Sequence, residues 1–453
     1  MLLAVMRPLI LGAALVVAAL AVRIPTVSAQ QQPAAPGPVS APPSVVGRVL
    51  TLEEAIAIAL ETQPQIQARL SDYAAAQFRV DQALAPLLPQ ISGSWTGARA
   101  QNVVGSPGTG STGTEITRTR TFWTDTTLAR VSGSQLLFDF GKTFAATDVA
   151  RKNAEVTLED VELQRQLVTL AVKEAYTNIN FAGRLIKVQL QALERAELNL
   201  KSARGFFEVG TRPKSDVTRA EVDVANARLG VIQARNAERV ARVALNTAMG
   251  IAADTPTQIR DNLVYQQAEF DRRQLLPEAL GRRPEYKQDQ LRVDAAEAFV
   301  RQTFRNFLPD ITAGGFYGAQ RADMNEVWEL NIGLTWSIFD GGNRIARYRE
   351  AKASVEAARS RVKARELDIS REVEQAQLTL AETEERIQAA QAAVASAQEN
   401  FRLAQGRFDA GVGTILELTD AQLALTQAQN TEAQALADNR IAVARLERAL
   451  GRR

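Results

Sequence analysis

Glu417 and Asp420 are one of several carboxylate pairs in this chain whose spacing would let them do chemistry together. They are two carboxylates three positions apart, following Gly413, and on a helix they fall on one face. Such a pair can act as acid and base, or it can hold a cation. The first role lacks its usual helpers. The chain has 0 His and 0 Cys, so the commonest general base, the commonest metal ligand and every thiol nucleophile are missing. It has no glycine-rich phosphate loop and no nucleophile elbow. The other charges are spread along helical stretches as solvated faces. The chain therefore reads as a non-enzyme without metal site or cofactor. The second role is electrostatic: like charges held close can draw in counter-ions, as acidic rings do in cation channels. The plainer alternative is that Asp216, Glu417 and Asp420 only cap or solvate the helices they begin.

The elements that must position these residues come in duplicate. Phe138-Asp139-Phe140-Gly141 returns as Phe339-Asp340-Gly341-Gly342, Phe207-Glu208-Val209-Gly210 as Phe408-Asp409-Ala410-Gly411, and Gly250 as Gly451, each 201 residues later. Pro89 in Leu87-Leu88-Pro89 and Pro309 in Phe307-Leu308-Pro309 are 220 apart. The difference of 19 equals the length of the Gly/Ser/Thr-rich stretch 103–121. Two copies of one helix–strand–strand–helix–helix unit, differing mainly in a loop, account for this arithmetic.

Residues 1–29 carry Arg7, an apolar run from Leu9 to Val22 and the small residues Val27-Ser28-Ala29, the pattern of a cleaved secretory signal. The run is short of the roughly 20 residues of a membrane span. Residues 30–48 are rich in Pro and Gln and read as a flexible leader. No later stretch has 18 consecutive apolar residues. Without cysteine, disulfides and lipidation of an N-terminal Cys are excluded. A net charge of +2 offers no electrostatic case for nucleic acid.

From Gly141 to about Glu208, and again from Gly342 to about Asp409, there is no proline. Helices of that length call for coiled-coil packing. The following segments show it. Ala220, Ala227, Ala234, Ala241 and Ala248 recur every seven residues with Val224, Val231 and Leu245 between them, and Ala421, Ala428, Ala435, Ala442 and Ala449 recur with Leu425 and Leu446. Small residues on a sustained heptad indicate close left-handed pairing, although Glu238, Glu432 and Asn439 interrupt the seam.

Four strands lie between the helices, and the clearest runs from Trp328 to Phe339. Trp328, Leu330, Ile332, Leu334, Trp336 and Ile338 alternate with Glu329, Asn331, Gly333, Thr335 and Ser337. The length suits a tilted membrane strand with Trp near both ends. Four strands cannot close a membrane barrel, whose smallest examples have about eight, and an open edge cannot sit in lipid. Several chains must therefore combine.

These residues together resemble the TolC-like outer-membrane efflux channels, from about Val49 to Gly451. The resemblance rests on the duplication, the Leu-Pro approach to each strand pair and the Phe-Asp-x-Gly exit into a long helix. It rests also on the turns Phe207-x-x-Gly210-x-x-x-x-Ser215-Asp216-Val217 and Phe408-x-x-Gly411-x-x-x-x-Leu416-Glu417-Leu418. It implies a mainly α chain with a membrane β-barrel: a homotrimer with a twelve-stranded barrel in the outer membrane and a long α-helical tunnel across the periplasm. It implies a passive exit duct for efflux or type I secretion, opened by a periplasmic adaptor and an inner-membrane pump. The turns at Gly210, Gly411 and Gly413 would form the tip where the adaptor docks. Ser215, Asp216, Phe408, Glu417 and Asp420 would fall on gate positions, and Trp328, Leu330, Ile332, Leu334 and Trp336 would face lipid. Phe408 lacks the hydroxyl of the family's tyrosine, and Gly413 stands where a gating arginine is found. Arg212, its first-repeat counterpart, is the candidate replacement. A C-terminal extension seen in some relatives is not expected.

The expected layout places a first repeat at 49–250, with strands at 90–102 and 122–138 and helices at 52–88, 141–208 and 213–249. A connecting belt segment follows at 251–280. The second repeat occupies 281–453, with strands at 310–320 and 328–339 and helices at 283–308, 342–409 and 414–450. The rival reading is a periplasmic coiled-coil adaptor or structural protein without a barrel, which explains the signal and heptads but not the duplicated strand pairs.

Overall fold

The computed structural model describes residues 47–109, 115–265, 270–320 and 325–453. The signal segment and the leader up to residue 46 lie outside these, as do 110–114 and 321–324 of the two expected loops. The first repeat runs β1 (Val49–Leu50), α1 (Leu52–Thr62), α2 (Pro64–Leu84), β2 (Gln90–Thr109), β3 (Glu115–Phe138), α3 (Lys142–Glu208) and α4 (Lys214–Ala248). After β4 (Gln258–Ile259), the second repeat runs α5 (Arg272–Arg282), α6 (Pro284–Arg305), β5 (Asp310–Gln320), β6 (Asn325–Thr335), α7 (Asn343–Asp409) and α8 (Ile415–Ala449).

The helix expected over 52–88 is two. Thr51 and Glu54 close a capping box at the start of α1, and Pro64 occupies the first turn of α2. Proline has no amide to donate, so the chain kinks at the extended residue Gln63. Asp271, Arg283 and Pro284 repeat this pattern 220 residues later, with Asp271 capping α5. The repeat therefore begins near Asp271, inside the segment assigned to the connection, and the helix expected over 283–308 is α6, preceded by α5.

The hairpins also differ from expectation. The stretch 103–121 is mostly strand: antiparallel pairing holds register from Gln90↔Ser134 to Thr109↔Glu115. Alternating threonines at 117, 119 and 121 favour an extended chain. β5 pairs β3 only as far as Leu128↔Gln320, so the 19 extra residues lengthen a two-stranded ribbon. β6 is shorter than the expected 328–339. Its ladder ends at Asp310↔Thr335, where β5 begins, and Trp336 instead donates its indole N–H to the Phe307 carbonyl at 3.0 Å. The sheet order is β2-β3-β5-β6, which leaves β2 and β6 with free edges.

Each 67-residue helix, α3 or α7, is about 100 Å long at 1.5 Å per residue. Half-length helices cover it: α2 and α4 pack on α3, and α6 and α8 on α7, while α3 also packs on α6 and α8. The heptad residues Ala220, Val224, Val231, Ala234 and Leu245 are buried, as are Ala421, Leu425, Ala435, Ala442 and Leu446. Asn439 is satisfied within its seam by the Thr383 hydroxyl at 3.2 Å.

The half-helices meet at a belt. Gly250 (φ +73°) ends α4 so close to the α1–α2 kink that a Cβ would lie 2.9 Å from Gln63 Cα. Gly451 (φ +74°) repeats the contact, 2.9 Å from the Arg282 carbonyl carbon. Here β1 pairs parallel with β4, and the buried Tyr176 hydroxyl reaches the carbonyls of Leu50 (3.1 Å) and Arg260 (2.9 Å). Burial raises the Tyr176 pKa above its ordinary value of 10.0.

Candidate functional site: the paired helix turns and the apolar sheet face

Both long helices stop by the same device. At Gly210 (φ +77°) the Gly210 amide donates to the Phe207 carbonyl and the Thr211 amide to the Phe206 carbonyl, each at 2.9 Å. At Gly411 (φ +79°) the Gly411 amide donates to the Phe408 carbonyl and the Val412 amide to the Arg407 carbonyl, each at 3.0 Å. These left-handed glycines satisfy the last helical carbonyls and reverse the chain. α8 then starts on Thr414, whose hydroxyl accepts the Glu417 amide at 3.2 Å, whereas α4 starts on Pro213 without a side-chain cap.

The two turns are joined by Arg212. Its guanidinium donates to the carbonyl of Gly413, its own counterpart 201 residues on. It lies 4.6 Å from the Phe408 ring centroid and 3.6 Å from the Asp216 carboxylate, with the Arg212 and Asp216 side chains only 13 % and 15 % exposed. Gly413 itself packs tightly on the end of α7, where a Cβ would lie 2.9 Å from the Phe408 amide nitrogen. Phe408 is 0 % exposed and packs with Ala404, Ile415, Leu418 and Ala421, edge-on to Phe206 at 5.7 Å. It is an apolar anchor and the platform for Arg212, the role left to an aromatic ring without a hydroxyl.

The remaining acids lie apart from this cluster. Glu417 is exposed and 3.6 Å from Arg407. Asp420 and Ser215 are exposed and have no hydrogen-bonding partner among the described residues. Sequence reading missed the polar ties between repeats. The Thr419 hydroxyl donates to the Asp223 carboxylate at 2.9 Å, and the Asn199 amide donates to Gln422 at 2.7 Å. Arg195 sits 5.8 Å from the Phe401 ring centroid, and burial holds its pKa below the ordinary arginine value. Only polar residues set within helical seams hint at such ties. No group of three or more acidic side chains able to hold a metal occurs among the described residues.

At the sheet end, Trp328, Leu330, Ile332 and Leu334 share one exposed face of β6, with Trp336 just beyond it. Ladder partners extend this face through Ile311 and Tyr317 to Val131, and β2 adds Ile91 and Trp95. It ends at an ion pair between Arg99 and Asp125 (3.3 Å), with Arg99 also 5.2 Å from the Trp123 ring centroid. The opposite face carries Ser92, Ser94, Ser132, Ser134, Glu329 and Asn331. Among the described residues, no helix is long and apolar enough to cross a membrane.

The comparisons agree with this geometry. The family described as outer membrane efflux protein matches residues 55–251 and 275–452. The pyoverdine export outer membrane protein OpmQ of Pseudomonas putida is 24% identical over 415 residues, 88% of this chain and 85% of its own. The alkaline protease secretion protein AprF of Pseudomonas aeruginosa is 26% identical over 408 residues, 86% of this chain and 82% of its own. The crystal structure of the outer membrane protein VceC from Vibrio cholerae superposes with a TM-score of 0.71 at 18% identity, covering 88% of this chain and 96% of that one. With both repeats matched and the fold shared, the chain belongs to the outer membrane efflux protein family, the TolC-like channels that pair an outer-membrane barrel with a periplasmic helical tunnel.

Proposed function

We propose that three copies of this chain close one twelve-stranded barrel in the outer membrane and continue it as a helical tunnel. The assembly is the passive exit duct of a tripartite efflux or type I secretion system, reached by an inner-membrane pump through a periplasmic adaptor. The observation that carries this reading is a four-stranded sheet with one apolar exposed face and two unpaired edges, β2 and β6. Lipid tolerates no unpaired edge, so each β6 must meet the next copy's β2. The helices ask for the same closure. α4 flanks the first repeat with Val222, Leu229, Ile232 and Val240 exposed, and α7 flanks the second with Leu367, Leu378 and Leu403 exposed. A coiled-coil adaptor without a barrel would leave the sheet unexplained.

In this reading residues 1–29 are removed on export, 251–265 belongs to the belt, and the turns at Gly210, Gly411 and Gly413 form the tip that meets the adaptor. Arg212, Asp216 and Phe408 hold the tip closed, and Ser215, Glu417 and Asp420 border its opening. The names of the relatives range from pyoverdine export to protease secretion, so the shared property is the route and not the cargo. Mass measurement of the purified protein in mild detergent is expected to give three times the mature chain mass. A stable monomer that needs no detergent would overturn the reading.

A further inference from the structure

Where β5 and β6 give way to helices, the ends of α6 and α7 border an open cavity of about 360 Å³. Its wall holds Lys142, Asp310, Asp340, Arg344 and Arg347, with Asn343 as a neutral donor. Lys142 pairs with Asp310 at 2.7 Å and Arg344 with Asp340 at 2.9 Å. Arg344 is further committed to the carbonyls of Asn306 and Ser337. The Arg347 side chain is exposed and has no ion pair or hydrogen bond to any described residue. Each carboxylate is thus matched by one cation, and Arg347 leaves the cavity with an excess positive charge.

The duplication supplies an internal control. In the first repeat Thr143 stands for Arg344, Ala146 for Arg347, Leu136 for Ser337 and Gln90 for Asp310. Asp139 keeps the place of Asp340, and the same strand-to-helix junction forms there without counterparts of Asp310, Arg344 and Arg347, so the fold does not require those three charges. Asp310 and Thr335 are ladder partners on the strand face opposite Leu334, which directs the cavity away from lipid.

We propose that this cavity binds a small multivalent anion, with Arg347 and Asn343 as its principal ligands and Lys142 and Arg344 as fixed background charge. The group recognised is a phosphate or carboxylate cluster on a water-soluble solute inside the duct. That source rests on the exit-duct reading; the site itself does not. A guanidinium offers such oxygens two parallel hydrogen bonds.

The test is calorimetric titration of the full chain in detergent with inorganic pyrophosphate, with citrate and dihexanoyl phosphatidylglycerol as separate arms. Pyrophosphate or citrate is expected to bind once per chain, and whichever binds tighter names the anionic group. Arg347→Gln should weaken binding at least about ten-fold, and Arg349→Gln, an exposed neighbour outside the cavity, should not. No binding of either soluble anion, binding of the lipid alone, or equal weakening in both variants would overturn the proposal. Conductance of the same preparation in planar bilayers keeps the two readings apart. A conducting protein that binds no anion loses the site and keeps the duct, whereas a non-conducting protein that binds pyrophosphate keeps the site and loses the duct.

Discussion

Arg212 ties one turn to the other by a hydrogen bond, so its removal should be felt at both. Arg212→Ala deletes a charged hydrogen bond and a cation–π contact, together worth about 2–4 kcal/mol. The expected result is a protein that assembles normally but has a higher resting conductance in planar bilayers. Unchanged conductance would mean that the tip is held elsewhere. Arg212→Lys should recover the ion pair with Asp216 without the flat stacking on Phe408, and so should restore closure only in part. Glu417 and Asp420 invite a different measurement, because they stay exposed near the turn instead of joining the cluster. Repeated by three-fold symmetry they would place six carboxylates around the opening, so Glu417→Gln with Asp420→Asn should lower cation preference in single-channel recordings and leave assembly intact. Both acids are reached through the family resemblance, since several other carboxylate pairs share their spacing. The direction of Arg212 could not be read from the sequence, since its hydrogen-bond partner is a backbone carbonyl, that of Gly413, 201 residues away.

The elements were legible where periodicity is strong and obscure where a single residue decides. The heptads marked α4 and α8, and the alternation from Trp328 marked β6. The break at Gln63 turned on Pro64, whose ring suits a first helical turn as well as an end. The ribbon turned on threonines in a stretch whose glycines suggest a loop. Alternation also yields a prediction. Ile332 is 77 % exposed on the apolar face, and Asn331 follows the opposite face. Ile332→Arg should impair trimer assembly, since arginine facing mid-bilayer costs about 2–4 kcal/mol, while Asn331→Arg should assemble and change conductance. Equal yields of folded trimer from both variants would show that the faces are assigned the wrong way round.

Across the whole molecule, duplication set the architecture, and the two repeats then diverged in how they hold the belt. Gln63 and Gln65 of the first repeat correspond to Arg283 and Glu285 of the second. There Arg283 is 2.6 Å from Glu372 and 3.1 Å from Glu285, and Arg448 is 2.7 Å from Glu285. Burial pushes the Glu285 pKa up, but the charges of Arg283 and Arg448 outweigh it and hold it below the ordinary 4.5. A carboxylate whose pKa is lowered by folding stabilises the fold above its unfolded value and loses that contribution as pH falls through the folded value. The expected outcome is a thermal midpoint that is flat from pH 7 to about 5 and falls below about 4, with a shallower fall in Glu285→Gln. A midpoint with the same acid slope in wild type and variant would remove Glu285 from the account.

The equality of α3 and α7, 67 residues each, and of α4 and α8, 35 each, makes the protein a ruler with matched graduations. Arg212 can reach Gly413 only if both long helices end at the same height. Seven residues added to α3 alone would carry one turn about 10 Å past the other and part them. Seven added to α3, α4, α7 and α8 together would keep every seam in phase and every turn level. Reach across the periplasm can therefore change only in whole heptads inserted four at a time, and a lineage living with a wider periplasm should carry its lengthening in all four places or in none.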